Sequence, residues 1–270
     1  MITQFYIPTK LQGIVNYIIE RRMDGPGQFT FSPNWECEVL FILEGCEEGN
    51  ISSSKLEIDR NLLAKNFCWI SGLTTGPTMI KFKKLNSISI LISPIALKAL
   101  FNIPTYKLNN SAILAEDFIP DLKKTEDKLN TLPNFQAKAK WLEENLLTRI
   151  YESAELKTAF GIYNLVLKLT NENRSYTPGQ IEKMLGYSKT QSFRIFNEWF
   201  GLSITKFQKL IRFVHTVDYI HKSSDSLTQI GIVLGYYDQA HFIRTFKEFT
   251  GLTPKQYLKL KTDTPGIFPY

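Results

Sequence analysis

At 270 residues, with 43% hydrophobic and 21% charged side chains, the chain has the composition of one or two folded domains and none of the bias of a disordered or fibrous protein. Its net charge of +6 is uneven: residues 1–150 carry 17 Lys+Arg against 16 Asp+Glu, and residues 151–270 carry 15 against 10, an excess that suits a polyanionic partner for the second half. Cys37, Cys46 and Cys68, odd in number and without close pairing, argue against a disulfide framework or a structural zinc site, and the chain shows neither a basic-then-apolar leader nor an apolar run near the ~18 residues of a membrane span, so a cytoplasmic protein with no membrane partner is expected.

In chain order, Thr9-Lys10-Leu11-Gln12 reads as a capping box, and Leu11, Ile14, Val15, Ile18 and Ile19 recur at helical spacing, which predicts an opening amphipathic helix. After the turn-rich Asp24-Gly25-Pro26-Gly27, strand-like runs follow at Val39 to Leu43, Ile51 to Ile58, Phe67 to Ser71, Thr78 to Phe82 and Ser87 to Ile92. The last alternates, with Ile88, Ile90 and Ile92 on one face and Ser87, Ser89 and Leu91 on the other. Residues 28–93 thus read as a mostly antiparallel β unit. From about Asp121 the period becomes helical, with one stripe at Phe135, Ala139, Leu142 and Leu146 and another at Leu156, Phe160, Tyr163 and Leu167. Polar Asn171 to Ser175 marks a boundary, and Thr264 to Tyr270 a non-helical end.

Beyond that boundary one unit is written twice. Gly186-Tyr187-Ser188, Arg194-Ile195-Phe196 and Gly201-Leu202-Ser203 return as Gly235-Tyr236-Tyr237-Asp238, Arg244-Thr245-Phe246 and Gly251-Leu252-Thr253. In the first copy Thr177-Pro178-Gly179-Gln180 opens a short helix with Ile181, Met184 and Leu185 on its apolar face, Gly186 ends it, and Ser188 caps a second helix with Ser192, Ile195, Phe196 and Trp199 inward. The second copy repeats this from Ser226-Leu227-Thr228-Gln229, with Ile230, Val233 and Leu234 inward and Asp238 as the cap. Each copy is a helix-turn-helix. Between them Ser203 caps a helical pattern running to about His221, on the order of 27 Å long, a strut that can set two recognition helices into adjacent major-groove segments ~34 Å apart.

The chain here resembles the AraC/XylS family of bacterial transcription regulators. The resemblance covers about Ser175 to Tyr257, and its signature reads Gly235-Tyr236-Tyr237-Asp238-Gln239-Ala240-His241-Phe242-Ile243-Arg244-Thr245-Phe246-Lys247, then Gly251-Leu252-Thr253-Pro254. It implies two helix-turn-helix units joined by a long helix, with Thr190, Phe193 and Arg194 outward in the first unit and Gln239, Ala240, His241, Ile243 and Arg244 in the second. The chain departs from the usual pattern at Glu182, at Thr216, where Ala is frequent, and at apolar Phe193 and Ile243. More distantly, Pro33 to Glu38, Ser71 to Pro77 and Ser93-Pro94 with Leu97 to Pro104 resemble an uncharacterised β-rich domain that precedes many such regions. In the wider family such domains sense an effector, dimerise, or do both, and the pattern fixes neither role.

The expected fold is α+β: a β-rich, barrel-like, antiparallel N-terminal domain with helices, then an all-α tandem helix-turn-helix domain built on a long linker helix. The expected divisions are a regulatory or sensor domain at 1–120, a helical linker at 121–170 that is also the candidate dimerisation segment, and a DNA-binding domain at 171–262. The expected DNA-contacting residues are Lys189, Thr190, Phe193, Arg194, Gln239, Ala240, His241, Ile243, Arg244 and Lys247, with Lys183, Lys206 and Lys209 adding diffuse attraction to phosphates. Ion pairs to Glu198 and Glu248, each at i+4, are the competing use of Arg194 and Arg244. His215, His221 and His241 all lie in the DNA-binding half at spacings that suit no helical metal pair, and no nucleophile-and-base set or phosphate loop is present, so no catalytic residue, metal or cofactor is expected. The implied function is a sequence-specific transcription regulator controlled through its N-terminal domain. Its partners would be double-stranded DNA, a small-molecule effector, a second copy of the chain and, for an activator, RNA polymerase. A β unit that captures a protein partner, or one that acts as a catalytic sensor, are the alternatives. Trp35, Trp69, Cys37 and Cys68 are candidates either for a ligand pocket or for plain core.

Overall fold

The computed structural model describes residues 2–43, 47–53, 68–150, 154–171, 176–263 and 266–268. Its N-terminal half hangs on β7 (Thr78–Ile92), to which β2 (Val15–Met23), β3 (Gly27–Phe31), β4 (Cys37–Ile42) and β5 (Glu47–Ser53) all pair antiparallel. Leu85–Ile92 runs in a sheet ordered β1-β2-β7-β4-β6-β8, where β1 is Ile2–Tyr6, β6 is Cys68–Ser71 and β8 is Ala112–Leu114. Thr78–Lys84 runs instead between β3 and β5. The strands expected at 78–82 and 87–92 are therefore one. Lys83, Lys84, Leu85 and Asn86, which read as a break, mark the passage from one sheet to the other. Of the strand expected at 51–58, residues 51–53 belong to β5 and the rest lie outside the described residues.

The helix expected from Thr9 is not formed. Ile14 N and Val15 N both donate to Leu11 O, Gly13 turns at φ 77°, and the chain then enters β2. A bulge between Val15 and Tyr17 shifts the phase of the strand, so Val15 and Ile18 are both buried although they are three residues apart. That shift imitates helical spacing, and the β-branched run of Ile14, Val15, Ile18 and Ile19, paired on both edges, settles the competition for the sheet.

Helix α1 (Pro94–Phe101) starts one residue after β7 and buries every residue except Lys98, as a helix enclosed in the core must. After a 3-10 turn at Thr105–Leu108 come α2 (Leu122–Thr131), α3 (Phe135–Leu147) and α4 (Ala154–Asn171). Helix α3 is fastened to the first strands: the Tyr6 hydroxyl donates to Glu143 at 2.6 Å, Lys10 N donates to the same carboxylate at 2.7 Å, and buried Lys138 lies 3.4 Å from buried Glu20.

The C-terminal half is α5 (Pro178–Leu185), α6 (Lys189–Ile195) continued by a π-helical turn at Phe196–Phe200, α7 (Ile204–Lys222), α8 (Leu227–Val233), α9 (Gln239–Thr250) and α10 (Pro254–Leu260). Both units carry the same punctuation. Thr177 with Gln180, Ser188 with Gln191 and Ser226 with Gln229 form complete capping boxes, and Gly186 and Gly235 leave the first helices at φ 69° and 70°. Phe196, Phe200 and Phe207 form one aromatic core, and Phe213, Phe242, Phe246, Phe249 and Tyr257 the other. Met184 and Val233 were expected inward but are 52% and 41% exposed. Helices of two turns bury little more than one position, here Ile181 and Ile230.

Two of the contacts that bind the halves together stand at the ends of the C-terminal half. In the first, the unit of α5 and α6 sits on α1 and the following 3-10 turn. Lys98 Nζ lies 2.7 Å from Glu198 and 4.8 Å from the centre of the Trp199 ring, Thr105 Oγ1 lies 2.9 Å from Pro94 O and 3.0 Å from Trp199 O, and Asn109 Nδ2 donates to Gly201 O. In the second, the tail, expected only to be non-helical, forms β9 (Ile267–Phe268) and pairs with β3. Phe268 is buried edge-on against Tyr257, whose hydroxyl accepts from Gly266 N at 3.0 Å and lies 2.9 Å from His221 Nε2. Phe268→Ala should therefore lower the stability of the full chain by about 3 kcal/mol and raise amide exchange in both β3 and α10. Denaturant titration with exchange mass spectrometry tests this, and protection that is unchanged in α10 would show that the tail is no part of that core.

Candidate functional site

Helices α6 and α9 present the surface most plainly built for an extended polyanion. Each begins at a side-chain cap, Ser188 accepting from Gln191 N and Asp238 from His241 N at 2.6 Å. Lys189, Thr190, Phe193 and Arg194 are exposed on α6, as are Gln239, Ala240, Ile243, Arg244 and Lys247 on α9, while His241 is partly covered. Neither arginine takes the expected i+4 partner. Glu198 is paired with Lys98 of α1, and Glu248 with Lys209 of α7 at 2.6 Å. Both guanidinium groups thus keep their five-donor forks uncommitted among the described residues. Lys209, offered by the sequence as a phosphate contact, is instead a tie between α7 and α9.

His241 lies against the Tyr236 ring, with Nδ1 3.4 Å from Tyr237 N. Burial, then the positive charges of Arg212, Lys209 and Arg244, push its pKa below the ordinary 6.5. The ring is therefore neutral at pH 7, and with Nδ1 accepting, Nε2–H is left as a donor. The turn of the second unit is one residue longer than that of the first, and its two tyrosines divide the work. Tyr236 turns inward, its hydroxyl 2.8 Å from Thr216 Oγ1, which accounts for Thr216 in the linker helix. Tyr237 stands 92% exposed beside the start of α9. Sequence reading passed over Tyr237, although the extra residue between Gly235 and Asp238 was the signal. Helix α7, 19 residues and roughly 28 Å long, separates the two readers.

A second candidate site lies inside the β unit. Between the sheets is a chamber of about 180 Å³, walled by Phe29, Phe31 and Phe82 on one side and by Leu40, Ile42 and Trp69 on the other. Arg21, Glu36 and Glu38 supply its charge. Glu36 accepts from Asn16 at 2.9 Å and from Asn34 at 3.0 Å. Burial pushes its pKa from 4.5 up to about 7, with Glu38 adding to the rise and the Asn16 hydrogen bond and Arg21 opposing it. Arg21, Asn34 and Glu36 also line a neighbouring cleft of about 530 Å³, closed on its far side by Val214, His215 and Asp218 of α7. Trp35 meets His215 edge-on there, with ring centres 5.4 Å apart. Of the four residues weighed between pocket and core, Trp69 lines the chamber and Trp35 the cleft, while the Cys37 and Cys68 thiols are buried in the core and pushed up by burial. Among the described residues no cluster of His, Cys, Asp and Glu could hold a metal ion, and no helix is long and apolar enough to cross a membrane.

A carboxyl whose folded pKa is raised costs stability progressively as pH climbs from its unfolded value, and fully above the folded one. For Glu36 that window runs from 4.5 to about 7. The stability of Glu36→Gln relative to the parent should therefore improve between pH 5 and pH 8, by at most on the order of 3 kcal/mol. Denaturant titrations at the two pH values test it, and a flat or declining difference would show that the fold does not raise the proton affinity of Glu36.

Residues 181–260 match a family model described as a helix-turn-helix domain. An uncharacterized HTH-type transcriptional regulator of Haemophilus influenzae is 30% identical over 80 residues, which are 30% of this chain and 27% of that protein. Uncharacterized HTH-type transcriptional regulators of Staphylococcus aureus strains, such as that of strain N315, are 31% identical over 88 residues, 33% of this chain and 11% of theirs. The matched region is thus about a quarter of the first relative and a tenth of the second. Among solved structures, wild-type ToxT from Vibrio cholerae with unsaturated fatty acid bound superposes with a TM-score of 0.52 over 91% of this chain and 95% of its own, at 11% identity, a likeness of fold. That fold is an antiparallel β-sheet domain followed by a helical region with the helix-turn-helix units. Residues 181–260 thus form a helix-turn-helix domain of the kind that these transcriptional regulators carry.

Proposed function

We propose that the chain is a sequence-specific regulator of transcription, working in the cytoplasm on double-stranded DNA and controlled through its N-terminal half. The observation that carries the reading is the pairing of two capped, outward-facing helices whose arginines are left uncommitted because Lys98 and Lys209 hold the nearby carboxylates. In this reading, residues 171–262 read DNA, residues 1–120 are the regulatory part and residues 121–170 connect them, with β9 as a tie back to the sheet. Arg194 and Arg244 reach base edges, Thr190, Gln239 and the His241 Nε2–H hydrogen-bond, Phe193, Ala240 and Ile243 meet thymine methyls, and Lys189 and Lys247 meet phosphates.

The chamber and the adjoining cleft are the effector site in this proposal. The fatty acid held by ToxT supports a small molecule as the class of signal. Occupancy of the chamber bears on Glu36 and Trp35, and through Trp35 on His215 of α7, the helix that spaces the two readers. A second copy of the chain and, for an activator, RNA polymerase complete the set of partners.

Selection of binding sites from random DNA by the full chain tests the central reading, and enrichment of no motif would overturn it. Arg244→Ala should weaken specific binding by roughly 1–3 kcal/mol and relax preference at one base pair. Lys209→Ala, which removes a half-exposed ion pair within the protein, should cost under about 1 kcal/mol of stability and leave base preference intact. Should Arg244→Ala keep every base preference while affinity falls uniformly, Arg244 is a backbone anchor.

A further inference from the structure

The charges in the chamber do not balance. Arg21 is the one cation among the described residues that line it, and it is already engaged: Nη1 donates to Ser89 Oγ at 2.7 Å and sits 3.8 Å from Glu38, and the guanidinium lies 5.9 Å from the centre of the Phe31 ring. Against it stand two carboxylates. Those hydrogen-bonding Glu36, Asn16 and Asn34, are neutral amides that supply dipoles and no countercharge. Glu38 has only the long contact to Arg21 and keeps a third of its side chain exposed. Charges withdrawn from water are normally paired, and among the described residues that line the chamber two carboxyls face one guanidinium. Burial raises the proton affinity of Glu36 and the neighbouring Glu38 adds to the rise. The remaining wall, with Phe29, Phe31, Phe82 and Trp69, suits an apolar or aromatic body. Thr78 Oγ1, buried at this wall without a partner among the described residues, offers one more hydrogen-bonding group.

We propose that the chamber binds a small primary amine with an apolar or aromatic body, its ammonium held by Glu38 and Glu36 and its body among Phe29, Phe31 and Phe82. This rests on the reading of the chamber as an effector site and goes beyond it by fixing the ligand's charge. A carboxylate head would face two carboxyls, with the one guanidinium among the described lining residues already engaged, so ligands of the kind bound by ToxT should be refused here. The volume of about 180 Å³, roughly that of six water molecules, sets a limit of small-metabolite size.

The test uses the full chain at pH 7.5 with four probes: 2-phenylethylamine, 3-phenylpropionate, 2-phenylethanol and an unsaturated fatty acid, followed by calorimetry and thermal melting. The amine should bind and raise the melting temperature, and 3-phenylpropionate should do neither. Glu38→Gln should weaken amine binding at least tenfold, and Glu38→Lys should transfer preference to the carboxylate, a gain that misfolding cannot imitate. If 3-phenylpropionate, 2-phenylethanol or the fatty acid binds the parent protein as tightly as the amine, the charge assignment is wrong and the effector reading survives. If none of the four binds, the effector reading of the chamber falls with it.

Discussion

The hydroxyl proton of Thr105 is shared between two carbonyl groups, Pro94 O at the start of α1 and Trp199 O at the end of the first unit's second helix. The Trp199 carbonyl, in the last turn of its helix, has no partner within that helix, and the contact is enclosed, since Thr105 is fully buried. Removing the proton would strand that carbonyl at a cost of about 1–3 kcal/mol. Around this point close Lys98 on Glu198 and Trp199, and Asn109 on Gly201. Gly201 turns at φ 70° with the backbone of Thr105 3.1 Å from where a Cβ would stand, so no other residue fits. Everything downstream takes its direction from this seat, because α7 begins three residues after Gly201 and carries the second unit at its far end.

Two routes therefore converge on α7. One is the seat, which fixes where the helix starts. The other is the cleft, where Trp35 touches His215 partway along it. Burial holds His215 below its ordinary pKa, so the ring meets Trp35 uncharged. A change in the sheet can thus reach the strut without passing through the first unit. In the proposed reading, α6 and α9 thereby have distinct mechanical inputs, and a ligand would act on them only by as much as it prefers one arrangement over the other.

How much of this was legible in the sequence depended on range. Capping boxes and turn glycines are local, so both helix-turn-helix units, their aromatic cores and the strut could be read directly. The bulge at Val15 to Tyr17 defeated the reading of β2, because a phase slip in a strand reproduces the spacing of a helix face. Short helices misled at Met184 and Val233, where position on an apolar stripe does not guarantee a neighbour to cover it. Ser87 and Ser89 looked like the polar face of a half-buried strand, yet both are buried. They stand opposite Arg21, Ile19, Ile42 and Leu40 in the sheet register. Only that register brings Arg21, Glu36 and Glu38 to one chamber, and no spacing along the chain encodes it. The Lys209–Glu248 and Lys98–Glu198 pairs were invisible for the same reason.

The pairing of β9 with β3 joins segments from opposite ends of the described chain. Closing so long a loop forfeits more chain entropy than any neighbouring contact, and only a short ladder and the Phe268 ring compensate for it. The C-terminal half is thereby fastened at both of its ends, to α1 and the turn that follows it at one and to β3 at the other.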